Sequence, residues 1–194
     1  PNLSLSMMIL ASASPRRRQL LTEYGYSFTV QPSEVEETMP PDLTVGEITL
    51  FNARQKALAV SEQNPQELVL GVDTLVALDG VSLGKPANMD EAFEMLSRLN
   101  GRIHEVYSGV WAARKATNTN HAFVEVSRVK FRSLDEAGLR RYLARIEPLD
   151  KAGAYAAQDE HPEGIVERIE GSRTNVIGLP MEALAKMLEA LGAH

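Results

Sequence analysis

The sequence has no cysteine and no excess of positive charge. Without cysteine the chain has no disulfide, no thiolate nucleophile and no cysteine metal site, which is typical of a protein from a reducing compartment. The formal net charge of −6 argues against a general nucleic-acid-binding protein, because a polymer of phosphates needs a broad basic face. Any phosphate site is therefore expected to be a local pocket.

Long apolar runs and clustered metal ligands are also missing. No apolar run approaches the length of a membrane span, and no basic region followed by a long apolar stretch opens the sequence, so we expect a cytoplasmic protein without membrane contact. The histidines at positions 104, 121, 161 and 194 show no metal-ligand spacing. With 194 residues, 44% of them hydrophobic, we expect one domain, residues 1–194, as two lobes that share a sheet.

A turn rich in serine and arginine, Ser12-Ala-Ser-Pro-Arg-Arg-Arg18, follows an apolar run. Ser14 is a good N-cap and Pro15 a good first helical residue, which predicts a strand-to-helix turn. Three arginines at a helix N-terminus oppose the helix dipole, and a bound phosphate would resolve this conflict through backbone N–H groups, serine hydroxyls and guanidinium groups. The alternative is that the arginines are solvated surface charges.

A second informative stretch, residues 68–78, is a continuous apolar run typical of a strand buried on both faces. Asp73 lies in its middle, where an ionised carboxylate is costly unless it is paired or binds a cation. The alternative is a capping or turn aspartate at a strand end. Gly71 permits close approach of another group, and Asp79-Gly80 predicts a hairpin that brings Lys85 near Asp73.

The acidic segment Ser33-Glu-Val-Glu-Glu-Thr-Met-Pro-Pro41 ends in two prolines and cannot be an interior helix. It is either a solvated loop or the source of a carboxylate that binds a metal or orients water beside the arginine turn. Residues 43–62 follow with apolar positions at helical spacing. Lys56 lies on this helix, and a lone lysine on an amphipathic helix is usually solvent-facing.

The rest of the chain alternates helices and strands, which indicates an α/β protein with a mixed sheet containing hairpins. A helix capped by Asn88 or Asp90 ends at Asn100-Gly101, and a capping box, Ser133-Leu-Asp-Glu136, opens another. We expect strands at 103–113, 121–131, 164–170 and 174–177, and a last helix at 181–191 whose apolar stripe belongs to the core.

Small residues dominate the segment Asp150-Lys-Ala-Gly-Ala-Tyr-Ala-Ala-Gln158. They would let a ligand or another backbone segment approach closely, and Lys151 adds a cation. A tightly packed structural loop is an equal alternative.

Six motifs in this order resemble the Maf family of nucleoside triphosphate pyrophosphatases, from about Met8 to Leu191. They are Leu10-Ala-Ser-Ala-Ser-Pro-Arg-Arg17, Glu34-Val-Glu-Glu37, Gly71-Val-Asp-Thr74, Leu83-Gly-Lys-Pro86, Tyr107-Ser-Gly109 and Asp150-Lys-Ala-Gly-Ala-Tyr155. The resemblance implies an α/β fold related to the inosine triphosphate pyrophosphatases, with a mixed twisted sheet flanked by helices and two lobes around a central cleft, usually as a homodimer. It also implies hydrolysis of a nucleoside triphosphate to a monophosphate and pyrophosphate with a divalent metal cation: Mg²⁺, Mn²⁺ or Co²⁺.

The resemblance also implies roles for particular residues. The catalytic acidic residue of the family falls on Asp73, and its acidic loop residue on Glu37; either could be a general base or a metal ligand. The two lysines of the family match Lys56 and Lys85, which revises the surface interpretation of Lys56. The expected catalytic residues are thus Asp73, Lys85 and Glu37, and the expected substrate-binding residues are Ser12, Ser14, Arg16, Arg17, Lys56, Thr74, Lys151 and Gln158.

Within the family, the sequence resembles the dTTP/UTP subgroup at three specificity positions, Arg16, Thr74 and Gln158. A neutral amide at position 158 both donates and accepts hydrogen bonds, which suits a uracil or thymine edge, whereas a carboxylate would suit the cationic base of 7-methyl-GTP. The sequence departs from the family after Gln158, where Asp159-Glu-His-Pro-Glu163 adds negative charge close to the expected base pocket. The alternatives are a pyrophosphatase for 7-methyl-GTP or other modified nucleotides, and a non-catalytic nucleotide-binding regulator of septum formation.

Overall fold

The computed structural model describes residues 7–158 and 164–193. Its strands are β1 (Met8–Leu10), β2 (Phe28–Val30), β3 (Leu68–Leu78), β4 (Val81–Leu83), β5 (Ile103–Arg114), β6 (Thr119–Phe131) and β7 (Val166–Glu170). Its α-helices are α1 (Pro15–Glu23), α2 (Val45–Gln63), α3 (Met89–Leu99), α4 (Glu136–Arg145), α5 (Arg173–Ile177) and α6 (Met181–Ala190). Short 3₁₀ turns occupy Lys115–Thr117, Pro148–Asp150 and Ala152–Ala154.

The strands form one mixed sheet in the order β2-β1-β3-β5-β6-β7, with β4 paired to β3. The strands β2, β1 and β3 are parallel, and β3, β5, β6 and β7 are antiparallel. The Asp79-Gly80 hairpin is present, with positive φ at both residues as a tight hairpin turn requires. Helices pack against this sheet, so the predicted mixed α/β class is confirmed.

One edge of β3 is left open in the middle of the strand. On this edge β1 pairs with residues 68–70 and β4 pairs with residues 76–78. In the described part of the chain no strand pairs with residues 71–75 on this side, while β5 covers the other edge from Val69 to Ala77. Asp73 and Thr74 lie in the gap, and successive strand residues point to opposite faces of a sheet. The gap therefore lets groups from both faces meet at one place.

Helix α2 lies unusually close to the sheet because two glycines face it. A Cβ atom on Gly71 would be 2.0 Å from the carbonyl oxygen of Ala53, and one on Gly109 would be 2.5 Å from the carbonyl carbon of Thr49. Gly109 pairs directly with Asp73 across β3 and β5, so Gly109, Asp73 and Gly71 share one face. The predicted close approach at Gly71 is confirmed, and it brings the side chains of α2 to Asp73.

Two large apolar clusters surround this arrangement. One packs α3 and α4 against β3, β5 and β6 around Leu96, Phe131 and Tyr142, and the other packs α1 and α6 around Leu21 and Leu184. The expected core stripe of α6 is buried, which confirms its structural role. None of the helices in the described residues is long and apolar enough to span a membrane.

The predicted strand at 174–177 is wrong, since the structure has helix α5 there. The β-branched residues of this segment favour a strand locally. However, the Ser172 hydroxyl caps the helix by accepting from the Asn175 N–H at 3.1 Å, and the buried Asn175 amide donates to the Val106 carbonyl at 3.1 Å. Gly178, at a φ of +136°, ends the helix. Tertiary contacts thus override local preference.

The predicted capping box at Ser133 is also wrong. The N-cap of α4 is Asp135, whose carboxylate accepts from the Gly138 N–H at 2.7 Å. Both backbone groups of Leu134 are taken by the side-chain amide of Asn100, at 2.8 and 2.9 Å, so Leu134 cannot join the first turn. A capping box does open α2, at Thr44 with Glu47 three residues later.

Candidate active site

A cavity of about 790 Å³ opens at the gap in the sheet. Its volume is within the range of small-molecule sites. The cavity is lined by all eleven residues that the sequence marks as site candidates: Ser12, Ser14, Arg16, Arg17, Glu37, Lys56, Asp73, Thr74, Lys85, Lys151 and Gln158. The structure thus brings together residues from six separate segments of the chain.

The serine–arginine turn forms one wall and has the predicted geometry. Ser14 is the N-cap of α1, its hydroxyl accepting from the Arg17 N–H at 3.4 Å, and Pro15 is the first helical residue. The Ser12 hydroxyl accepts from the Ser14 N–H at 3.3 Å. No acidic residue lies in the first turn of α1. A helix N-terminus with cationic side chains therefore faces the cavity, as an anion site requires.

Arg17 joins three segments from inside this wall. Its guanidinium donates to the Gly178 carbonyl at 2.8 Å, to the Ser12 hydroxyl at 3.0 Å and to the Thr74 hydroxyl at 3.1 Å. The Thr74 hydroxyl also lies 2.8 Å from the hydroxyl of Ser108. We call Ser12, Arg17, Thr74, Ser108 and Gly178 the arginine cluster. Its hydrogen-bond acceptors are all neutral.

Burial lowers the pKa of the Arg17 guanidinium, although the charges of Asp73 and Glu37 oppose this effect. Arginine nevertheless stays protonated in proteins, since its ordinary pKa exceeds 12. The arginine cluster therefore holds a permanent positive charge at the cavity wall without a carboxylate in hydrogen-bond contact.

Arg16 and Lys151 lie on the neighbouring wall around one carboxylate. A guanidinium nitrogen of Arg16 is 3.6 Å from Asp150, and the Lys151 ammonium donates to Asp150 at 2.7 Å. Burial opposes ionisation of Asp150, but the hydrogen bond from Lys151 and the charges of Lys151 and Arg16 outweigh it and lower its pKa. Two cations thus face the cavity against one anion.

Asp73 lies in the middle of β3 with 2% of its surface exposed, so the alternative of a capping or turn aspartate is wrong. Its carboxylate accepts from the Asn52 amide at 3.0 Å and lies 3.8 Å from the Lys56 ammonium. Burial raises its pKa, and the charge of Glu37 adds to this, while Lys56, Asn52 and Arg17 act in the opposite direction. The result is a raised pKa, typical of a carboxylate that exchanges a proton.

Lys56 is 8% exposed, so the first interpretation of a solvent-facing lysine is wrong. Its ammonium donates to the Val72 carbonyl at 3.1 Å and to the Glu37 carboxylate at 2.5 Å. Burial works against ionisation of Glu37, but the hydrogen bond and charge of Lys56 prevail and lower its pKa. We call Glu37, Asn52, Lys56 and Asp73 the carboxylate cluster.

The remaining predicted residues are exposed at the mouth. Lys85 follows β4, lines the cavity and makes no hydrogen bond or ion pair with other residues that the structure describes. Gln158 is exposed at the end of the first described range. The acidic segment 159–163, expected to bring negative charge to the base pocket, lies outside the described residues.

Apolar side chains also line the cavity, and we call this set the apolar wall: Val76, Val106, Val176, Ala152 and Tyr155. Sequence reasoning quoted Tyr155 in a motif but gave it no role. Its hydroxyl lies 2.9 Å from Nε2 of His104, a buried histidine whose pKa burial lowers to about 4. Asn52 was also missed, because an asparagine on a long helix carries no signal of its own.

The carboxylates also decide what metal the site could hold. Within residues 7–158 and 164–193 no group of three or more histidine, aspartate or glutamate side chains has a metal-binding arrangement. Asp73 and Glu37, which share Lys56, offer two carboxylates. Magnesium in nucleotide sites is commonly bound by one or two carboxylates, with phosphates and water completing the shell. The residues present therefore fit a cation that arrives with a triphosphate.

Known proteins similar to this chain show the family to which it belongs. Proteins named dTTP/UTP pyrophosphatase from Pelotomaculum thermopropionicum and Caldicellulosiruptor bescii are 45% and 42% identical to this chain. The alignments cover 95% and 97% of this chain, respectively, and 96% of each relative. A solved structure of the Staphylococcus aureus Ham1 protein is 15% identical at a TM-score of 0.48, over 65% of this chain and 72% of that one. A family model described as Maf-like protein matches residues 7–191. The chain belongs to the Maf family.

Proposed function

We propose that this protein hydrolyses dTTP and UTP to the nucleoside monophosphate and pyrophosphate. The observation that carries the proposal is that a buried carboxylate with a raised pKa, Asp73, opens onto the same cavity as a cationic helix N-terminus. The names of relatives at 38–45% identity over nearly the whole chain support the same reaction and the same bases.

The cations of the cavity would hold the triphosphate. Arg16, Lys85 and Lys151 face the cavity with few internal partners, and the N-terminus of α1 adds the positive end of the helix dipole. Phosphoryl transfer depends mainly on positioning and on stabilising the charge of the phosphate oxygens. These groups would therefore bind the substrate and favour the transition state.

The carboxylate cluster would activate water. The water oxygen bonds to the α-phosphorus, and the water proton passes to Asp73. The P–O bond between the α-phosphorus and the bridging oxygen breaks, and its electrons leave with pyrophosphate. The raised pKa of Asp73 suits a general base, and the lowered pKa of Glu37 keeps that side chain anionic and suits a metal ligand. Glu37 would hold a divalent cation such as Mg²⁺, which would neutralise phosphate charge and polarise the phosphoryl oxygens, while Asp73 accepts the proton.

The base would lie against the apolar wall, with its polar edge toward Gln158. The amide of Gln158 can donate and accept, and it is uncharged, which matches a uracil or thymine edge better than a cationic base. The substitution Gln158→Glu is expected to weaken the preference for pyrimidines.

The test is pyrophosphate release from dTTP, UTP, CTP, 5-methyl-UTP, pseudo-UTP, 7-methyl-GTP and dITP, each with Mg²⁺, Mn²⁺ or Co²⁺ and with a chelator. We expect preferential cleavage of uracil and thymine nucleotides and loss of turnover with the chelator. Preference for 7-methyl-GTP would overturn the substrate assignment. Tight nucleotide binding without pyrophosphate release would favour the non-catalytic regulator.

A homodimer and a cytoplasmic location stay predictions, as does the division of residues 1–194 into two lobes of one domain. Light scattering of the purified protein and fractionation of cells test the first two.

A further inference from the structure

Asn52 lies behind the cavity wall with every polar group of its side chain engaged. It is 3% exposed and does not line the cavity. Its Nδ2 donates to Asp73 at 3.0 Å and to the Thr38 carbonyl at 2.9 Å, and its Oδ1 accepts from the Thr38 N–H at 3.0 Å. One amide thus satisfies both backbone groups of Thr38 and one carboxylate oxygen of Asp73.

This bridge joins the two carboxylates that the reaction needs. Thr38 directly follows Glu37, so fixing its backbone restricts where the Glu37 side chain starts. Asp73 belongs to β3, whereas Glu37 belongs to residues 33–41, which we call the acidic loop. Asn52 on α2 connects the two. Gly71 and Gly109 let α2 approach closely enough for this contact.

We propose that Asn52 is a positioning residue that orients Asp73 and fixes the position of the acidic loop relative to Asp73. One side chain would then position both carboxylates of the active site. The inference rests on the proposed pyrophosphatase function. Nothing requires Asn52 to touch the substrate, because it acts through Asp73 and Glu37. Partners that orient functional carboxylates typically account for about ten- to hundredfold in activity.

Two readouts separate positioning from packing. A residue that orients the carboxylates lowers kcat with little change in KM, because substrate binding does not depend on it. The Thr38 N–H donates to Asn52 at 3.0 Å, so its protection from hydrogen exchange reports whether the acidic loop is held.

The chain contains a matched control in Asn100. Its amide makes the same pair of hydrogen bonds with both backbone groups of one residue, Leu134, at 2.8 and 2.9 Å. It does not line the cavity, and among the described residues its side-chain amide makes no hydrogen bond to a carboxylate. Variants of Asn100 therefore measure the cost of losing a backbone bridge alone.

The experiment compares Asn52→Asp and Asn52→Ala with Asn100→Asp and Asn100→Ala. Turnover of dTTP gives kcat and KM for each folded protein, and hydrogen exchange of the Thr38 and Leu134 backbone N–H groups is followed by ¹⁵N NMR. We expect kcat to fall about ten- to hundredfold in the Asn52 variants with a smaller change in KM. Thr38 should lose protection in Asn52→Ala, because its N–H donates to the Asn52 side chain. The Asn100→Ala variant should lose protection at Leu134 only, and both Asn100 variants should keep the wild-type kcat.

Three outcomes would overturn the proposal. One is a wild-type kcat in both Asn52 variants, and another is an equal fall of kcat in the Asn100 variants. The third is failure of both Asn52 variants to fold while the Asn100 variants fold, because that would show a purely structural role. If the wild-type protein cleaves no nucleotide, the proposed function fails, but hydrogen exchange at Thr38 still decides whether Asn52 holds the acidic loop.

Discussion

The two clusters on β3 handle charge in opposite ways although they are built on adjacent residues. In the carboxylate cluster, on the α2 side of the sheet, two carboxylates compete for one ammonium, at 2.5 and 3.8 Å. In the arginine cluster, on the Thr74 side, one guanidinium donates only to neutral oxygens of Ser12, Thr74 and Gly178. Asp73 and Thr74 can belong to different faces and still serve one cavity because the sheet is open there.

This contrast suggests a division of labour. Arg17 is half-buried, and a charge that loses part of its hydration to neutral partners must regain that free energy from well-formed hydrogen bonds. The arginine cluster is therefore where loss of one side chain should cost stability. The carboxylate cluster has two carboxylates for one ammonium, and the pKa of Asp73 is raised. Loss of a carboxylate from this cluster should therefore reduce turnover rather than stability. The four changes below test that division.

The largest effect is expected from Asp73→Asn. An amide cannot take a proton from water, and loss of a general base typically lowers the rate about 10²–10⁴-fold. The raised pKa of Asp73 means that its ionised form is disfavoured in the folded state, so ionisation costs stability as pH rises. The melting temperature of the variant at neutral pH should therefore equal or exceed that of the wild type. Near-normal pyrophosphate release would disprove the assigned role.

Arg17→Lys should reverse this pattern. A lysine cannot make three hydrogen bonds in the guanidinium geometry, so acceptors on Ser12, Thr74 and Gly178 lose their donor. We expect a loss of about 2–4 kcal/mol in the free energy of unfolding, from hydrogen bonds to a charged group. Urea unfolding with an unchanged m-value measures it. Wild-type stability in this variant would show that Arg17 does not hold the cluster together.

Arg16→Lys sharpens the comparison between adjacent arginines. The Arg16 side chain is 31% exposed, and its ion pair with Asp150 is long, at 3.6 Å. Such a pair contributes at most about 1 kcal/mol, so stability should change little. Its planar guanidinium suits two phosphate oxygens at once, and we expect KM for dTTP to rise about tenfold when that geometry is lost. If Arg16→Lys lowered the free energy of unfolding as much as Arg17→Lys, the proposed difference between the two arginines in stability would be wrong.

Local rules predicted the parts of the fold that depend on neighbouring residues. The N-cap at Ser14, Pro15 as the first residue of α1 and the Asp79-Gly80 hairpin each follow from interactions within a few positions. The same kind of rule failed at Ser133, where Asn100 holds Leu134 outside the helix. A capping signature therefore shows that a cap is possible, and a contact from elsewhere decides whether it forms.

The carboxylate cluster could be predicted only in part. An aspartate within an apolar run marked Asp73, but Lys56 and Asn52 look like surface residues of an ordinary amphipathic helix. Their burial depends on the close packing of α2 against Gly71 and Gly109. These glycines belong to β3 and β5, so the sequence of the helix itself does not show the contact. Lys56 was predicted as a site residue only through the resemblance to a family. Nothing in the sequence supplied Asn52, because its partners, Thr38 and Asp73, are brought together only by the fold.

The smallest effect, and the one that tests the electrostatics most directly, is expected from Glu37→Gln. The charge of Glu37 raises the pKa of Asp73, so removing it should lower that pKa and move the acidic limb of the kcat/KM profile to lower pH. Loss of a metal ligand would reduce the height of the profile, whereas loss of the Glu37 charge lowers the pH of its midpoint.

Glu36→Gln is the matched control for this change, since Glu36 lines the same cavity but does not contribute to the shift of Asp73. Its normalised pH profile should overlay that of the wild type. If Glu37→Gln moved the limb upward or left it in place, Lys56 would not be shared between the two carboxylates in solution. The carboxylate cluster would then lose the competition for one cation that separates it from the arginine cluster.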